Sequence, residues 1–117
     1  MICGNWMDAV ITVATSTTLS AEVDLGRQYE TLLITMPILG TSATAVSIMG
    51  CRKSGGTFQD LYTTDPATGA NVQLISATFT TSTFGWIVPI GGMQYIKIKC
   101  SGAQAANRTF RVCGVRR

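Results

Sequence analysis

Hydrophobic and polar residues alternate along most of this chain with a period of two, and no stretch sustains the 3.6-residue period of a helix. Residues 10–15 form a short β-rich run. Leu19, Ala21, Val23 and Leu25 then alternate with Ser20, Glu22 and Asp24, which predicts a half-buried strand with one polar face, interrupted by Gly26. Residues 29–36 are more continuously apolar through Leu32-Leu33-Ile34, as a central strand requires, and Pro37 and Gly40 mark its exit. Residues 43–49 alternate again, with Val46 and Ile48 inward. Ser54-Gly55-Gly56 predicts a tight turn into a partner strand at 57–64, because glycine supplies the positive φ that such turns use. Residues 65–71, with Pro66 and Gly69, have the chemistry of a surface loop. Two further strands are expected at 72–80 and 84–90.

The last third reads as a closing β-hairpin. Residues 91–100 and 108–115 alternate, and the small, polar stretch 101–107 joins them. With the loop centred near Ala105, Cys100 would face Phe110, Ile98 would face Val112 and Lys99 would face Arg111. Ile98, Cys100, Phe110 and Val112 would then share the inner face, with Lys97, Lys99, Arg111 and Cys113 outside. These elements total about eight strands, and the economical fold is an antiparallel β-sandwich, with jelly-roll connections as one option. Residues 1–9 are expected to form an N-terminal arm and residues 10–117 a single domain.

Composition sharpens this picture. In 117 residues, apolar types make up 46% and charged types only 13%, about half the ~25% of an average soluble domain. Thr, Ser, Asn and Gln fill the polar positions, and threonine suits a pleated, half-exposed surface. Sparse charge also suggests that another chain covers part of the surface, since interface cores are depleted in charge. No apolar run approaches the ~18 residues of a spanning helix, and the N-terminus lacks a signal-like core, so neither membrane nor export by the usual route is expected.

Catalytic chemistry is hard to assemble. Histidine is absent, which removes the commonest general base and metal ligand. Cys3, Cys51, Cys100 and Cys113 contain no C-x-x-C spacing, so they read as reduced structural thiols and no metal or cofactor is expected. Only Glu22 and Asp24 form a close carboxylate pair. Two carboxyls could in principle act on a glycosidic bond, but alternate exposed positions of an amphipathic strand carry charge anyway. Gly91-Gly92 precedes a strand and presents no helix terminus to phosphate. No enzymatic activity is expected.

Surfaces remain. Lys97, Lys99 and Arg111, with Arg116 and Arg117 at the tail, suit an acidic protein partner or a solvated edge that resists strand-to-strand pairing. A net charge of +3, without a basic groove lined by stacking aromatics, does not point to nucleic acid. Ile2, Trp6 and Met7 would either reach onto a neighbouring subunit or cap the domain's own core. Trp86 and Phe84 would share a face, with Trp86 in the core.

Val46-Ser47-Ile48 leading to Ser54-Gly55-Gly56-Thr57-Phe58-Gln59-Asp60-Leu61-Tyr62, then Thr63-Thr64-Asp65-Pro66-Ala67-Thr68-Gly69, resembles small β-sandwich virion proteins of tailed bacteriophages. Gly92-Met93-Gln94-Tyr95-Ile96-Lys97-Ile98-Lys99 and the stretch from Ala103-Gln104 to Arg108-Thr109-Phe110 belong to the same resemblance, which covers roughly residues 19–115. It implies a non-enzymatic decoration or cement subunit, assembled in the host cytoplasm, often as a trimer, that binds the major capsid protein and stabilises the head. It transfers no named binding residue. Ile2, Trp6, Met7, Lys97, Lys99 and Arg111 are the candidate subunit or capsid contacts. Tail, neck and head-fibre components share such sandwiches. A carbohydrate-binding adhesion module, using Trp6, Tyr62, Trp86 and Tyr95, is the alternative from another class.

Overall fold

The computed structural model describes residues 2–38, 44–76 and 85–116, and these contain strands, turns and no helix. The strands are β1 (Ile2–Cys3), β2 (Met7–Ile11), β3 (Val23–Thr35), β4 (Val46–Cys51), β5 (Gln59–Asp60), β6 (Tyr62–Thr64), β7 (Asn71–Gln73), β8 (Gly85–Cys100) and β9 (Arg108–Arg116). All pairings are antiparallel. Seven strands form one sheet in the order β1-β9-β3-β8-β4-β5, with β2 also on β9, and β6 and β7 make a separate two-stranded ribbon. The fold is an antiparallel β-sandwich, as the alternation predicts.

The sandwich arises because the two longest strands bend. β3 shifts register between Asp24 and Tyr29, where Gly26 has φ +87° and donates its N–H to Asp24 Oδ1 at 2.8 Å. β8 bends at Gly91 and Gly92, with φ of +67° and +86°, a backbone region that costs other L-residues dearly. Before this bend β8 pairs with the second half of β3; after it β8 lies between β4 and the start of β3. Each long strand therefore runs through both layers, and side chains from both halves meet in one core. Leu32, Ile34, Val88, Phe110 and Val112 come from one half, and Ala9, Ile11, Val46, Ile48, Ile96 and Ile98 complete the cluster. Residues 84–90 and 91–100, expected as two strands, are one element within the described part.

The closing hairpin does not form. β8 and β9 flank β3, so Leu33 has Ile87 on one side and Cys113 on the other. Lys99 pairs with Ser47, with a bridge to Leu19, while Arg111 lies opposite Asp8 and Thr35. Alternation and a short loop specify two strands, but they do not specify adjacency. The strand that intervenes, β3, carries apolar side chains on both faces through Leu32-Leu33-Ile34 and so suits a central position. The 101–107 connection is fastened by Gln104, whose N–H donates to Thr17 O at 2.9 Å. Its Oε1 accepts from Arg108 Nε at 3.0 Å. Cys113, expected outside, is buried and donates its thiol to Gly4 O at 3.2 Å.

In the segment 1–9, expected as an N-terminal arm, β1 and the start of β2 pair with β9, and Ala9 is fully buried, as is Ile11 just after it. The run expected at 10–15 turns after Ile11, where Thr15 and Ser16 donate to Thr12 O. Ala21, expected inward, is exposed, and Ser20 is buried in its stead. The Ser20 hydroxyl accepts from Ile98 N at 2.9 Å, which lets a polar side chain occupy the interior. Val23 and Leu25 do point inward, and the turn at Gly55 has φ +70°. The expectations for residues 39–43, 77–84 and 117, including Gly40 and Phe84, lie outside the described residues.

Candidate interaction surfaces

Hydrogen bonds hold both members of the carboxylate pair. Glu22 Oε2 accepts from Ser54 Oγ at 2.7 Å and Oε1 accepts from Gly55 N at 2.8 Å. The Gly55 N–H, then the Ser54 hydroxyl, hold its carboxyl below the usual glutamate range. Asp24 is lowered as well, by the Gln94 amide and then the Gly26 N–H. A glycosidase pair needs one carboxyl raised so that it can donate a proton, and here both are pulled down. Glu22 ties a turn to a strand.

The cysteines are similarly placed. Burial pushes the Cys100 thiol up to about 11, which keeps it protonated and inert at neutral pH. Half-buried Cys51 donates its thiol to Lys53 O at 3.1 Å. Among the described residues, no group of Cys, Asp and Glu is arranged to hold a metal.

Among the described residues, the exposed large apolar side chains other than Ile38 gather in two places. The first is the outer face of β3 and β8. Inward Leu32, Ile34 and Val88 alternate with outward Leu33 and Ile87, and these two lie opposite each other. Ile87 is 69% exposed, an unusual setting for a large aliphatic side chain in a strand. Trp6, 46% exposed, stands beside them. Together with Thr35, Gly85 and Trp86 they line an open hollow of about 270 Å³. Arg111 lines a shallower, adjoining depression with Trp6 and Thr35. Its Nε bonds Asp8 Oδ1 at 3.1 Å, and both side chains are more than half exposed, so this ion pair contributes little to stability.

The second place is the β6–β7 ribbon. Residues on either side of it anchor it to β4: Leu61 N donates to Ile48 O, Leu74 N to Leu61 O and Ile48 N to Leu74 O. Between these anchors every strand residue of β6 is exposed, as are Asn71 and Val72 of β7. Asp65 organises the turn, accepting from Ala67 N at 2.9 Å and from Gly69 N through its carbonyl at 2.7 Å. Tyr62 is 57% exposed and Val72 43%, with Ile75 at the base 44% exposed.

The sequence-predicted contact residues do not form one patch. Trp6 and Arg111 share a depression beside the hollow, while half-buried Met7 packs against its own core. Lys97 and Lys99 lie on the second half of β8, with the Lys97 ammonium 4.7 Å above the Phe58 ring. Ile2 is placed by its backbone opposite Arg116. Of the four aromatic candidates for a sugar platform, only Trp6 and Trp86 share a hollow. Sequence reasoning missed Ile87 and the ribbon. The apolar run Trp86-Ile87-Val88 was a signal that both faces of β8 carry hydrophobic side chains; the ribbon's exposure has no comparable signal.

No family model matches this chain, and no curated protein matches it. Among solved structures, the crystal structure of the SPBc2 prophage-derived protein YomS is similar over 97% of each chain, with 12% identity and a TM-score of 0.48.

Proposed function

We propose that this chain is a non-enzymatic structural subunit of a phage virion, a decoration protein that binds the major capsid protein on the head surface and stabilises the shell. The observation that carries this reading is the display of uncharged, exposed hydrophobic side chains at two separate places on a small sandwich, Trp6 with Ile87 and Tyr62 with Val72. Such surfaces mark protein contacts, and neither place is a deep, enclosed pocket of the kind small ligands use. The sequence resemblance to phage decoration proteins supplies the particular assembly. Lys97 and Lys99 suit an acidic capsid surface, and many weak copies around a shell add through multivalency.

The test is to mix the purified chain with empty capsids, pellet them, and measure the shell's heat stability. Co-sedimentation with a raised disruption temperature is expected. Absence of both would contradict the reading. A location at the neck, tail or head fibre keeps the same structural role with fewer copies. The shared hollow of Trp6 and Trp86 favours one further reading, a carbohydrate-binding adhesion module, and binding on a glycan array with no capsid binding would select it.

A further inference from the structure

We propose that copies of this chain associate head to tail, the β6–β7 ribbon of one copy seating Tyr62 in the Trp6–Ile87 hollow of the next. This deepens the structural role proposed above and rests on it for context. An isolated two-stranded ribbon is marginal in water and needs further strands or packing to be stable. Here the ribbon forms its own sheet, held to β4 at its base through Leu61 and Leu74, while Tyr62, Thr63, Thr64, Asn71 and Val72 stand exposed beyond that base. Its strands also lack the lysines, prolines and bulges that protect solvated edges, since Pro66 lies in the turn.

The two surfaces complement each other. Engineered cavities of about 150 Å³ take a benzene ring, so an open hollow of about 270 Å³ has room for a phenol side chain. Trp6, Leu33 and Ile87 give it apolar walls, and exposed Gly85 contributes no side chain to fill it. Charge matches too. The only charged residue between 62 and 73 is the acidic Asp65, and basic Arg111 lines the depression beside the hollow with Trp6 and Thr35. Arg111 spends Nε on Asp8, and the guanidinium has further donors for a second carboxylate. No ribbon residue lines the hollow of its own chain. Because the two halves are different surfaces, the contact is heterologous, and it closes into a ring or runs on as a filament.

Size-exclusion chromatography with light scattering on the intact chain and on the variants Tyr62→Arg and Trp6→Arg tests this. The unmodified chain should elute at a multiple of its 12.5 kDa mass, and each variant at monomer mass with an unchanged β-type circular dichroism spectrum. An equal mixture of the two variants should form a dimer, because one copy retains a working hollow and the other a working ribbon. Should either variant misfold, Tyr62→Ser in the ribbon and Ile87→Asp in the hollow replace the pair. A monomeric unmodified chain, folded variants that keep the parent mass, or a mixture that stays monomeric would each overturn the proposal. Capsid co-sedimentation separates it from the function above: a monomer that binds capsids removes only the head-to-tail contact, and an oligomer that ignores them leaves the contact standing.

Discussion

At the scale of single residues, stability rests on close packing and a few satisfied polar groups. Ile98 is fully buried at the centre of the second half of β8, and Ile98→Ala should lower unfolding free energy by about 2–5 kcal/mol in a denaturant titration. Gly114 is a different case: a Cβ there would run into the Tyr29 ring. Gly114→Ala should therefore destabilise by about 1–3 kcal/mol through overpacking. The Gly55 N–H, then the Ser54 hydroxyl, hold the Glu22 carboxyl below its ordinary range in the fold. A lowered folded-state pKa means its contribution is present above the unfolded value and lost as pH falls through the folded one. The thermal midpoint should drop on acidification below the usual glutamate range, and Glu22→Gln should flatten that drop relative to the parent. Inward positions such as Val23, Leu25, Val46 and Ile48 were legible from alternation. The exchange of Ser20 for Ala21 was not, because it depends on a hydroxyl meeting the Ile98 N–H from a distant strand.

At the scale of elements, glycine decides how the strands are used. A glycine pair in an apolar run carries the same sequence signal for a turn and for a bulge. Gly91-Gly92 thus reads as the boundary between two strands, whereas the backbone passes through it as a bend. Gly91→Ala should cost about 1–2 kcal/mol, the penalty for a Cβ in the left-handed region, and a chemical-denaturation midpoint would register it. Ser54-Gly55-Gly56 shows the same residue type doing what its turn chemistry predicts. Strand order was the least legible feature. Whether β9 pairs with β8 or with β3 depends on which apolar faces remain to be covered across the whole molecule, and neighbouring residues do not encode that. The ribbon was hidden for a related reason: residues 62–73 look like an ordinary strand and loop until the sheet they fail to join is known.

At the scale of the whole molecule, sparse charge and exposed hydrophobic groups are what the proposed contacts with other chains require. Of 117 residues only 13% are charged, and both apolar surfaces sit where strands alternate or project, away from any assembled catalytic set. A decoration subunit needs these properties: a rigid sandwich, a contact to its own kind and a contact to the shell. The most direct measurement is quantitative mass spectrometry of gradient-purified particles from the source culture. The account predicts this chain at a copy number comparable to that of the major capsid protein. A handful of copies per particle would contradict decoration of the shell, and complete absence would contradict a virion role altogether.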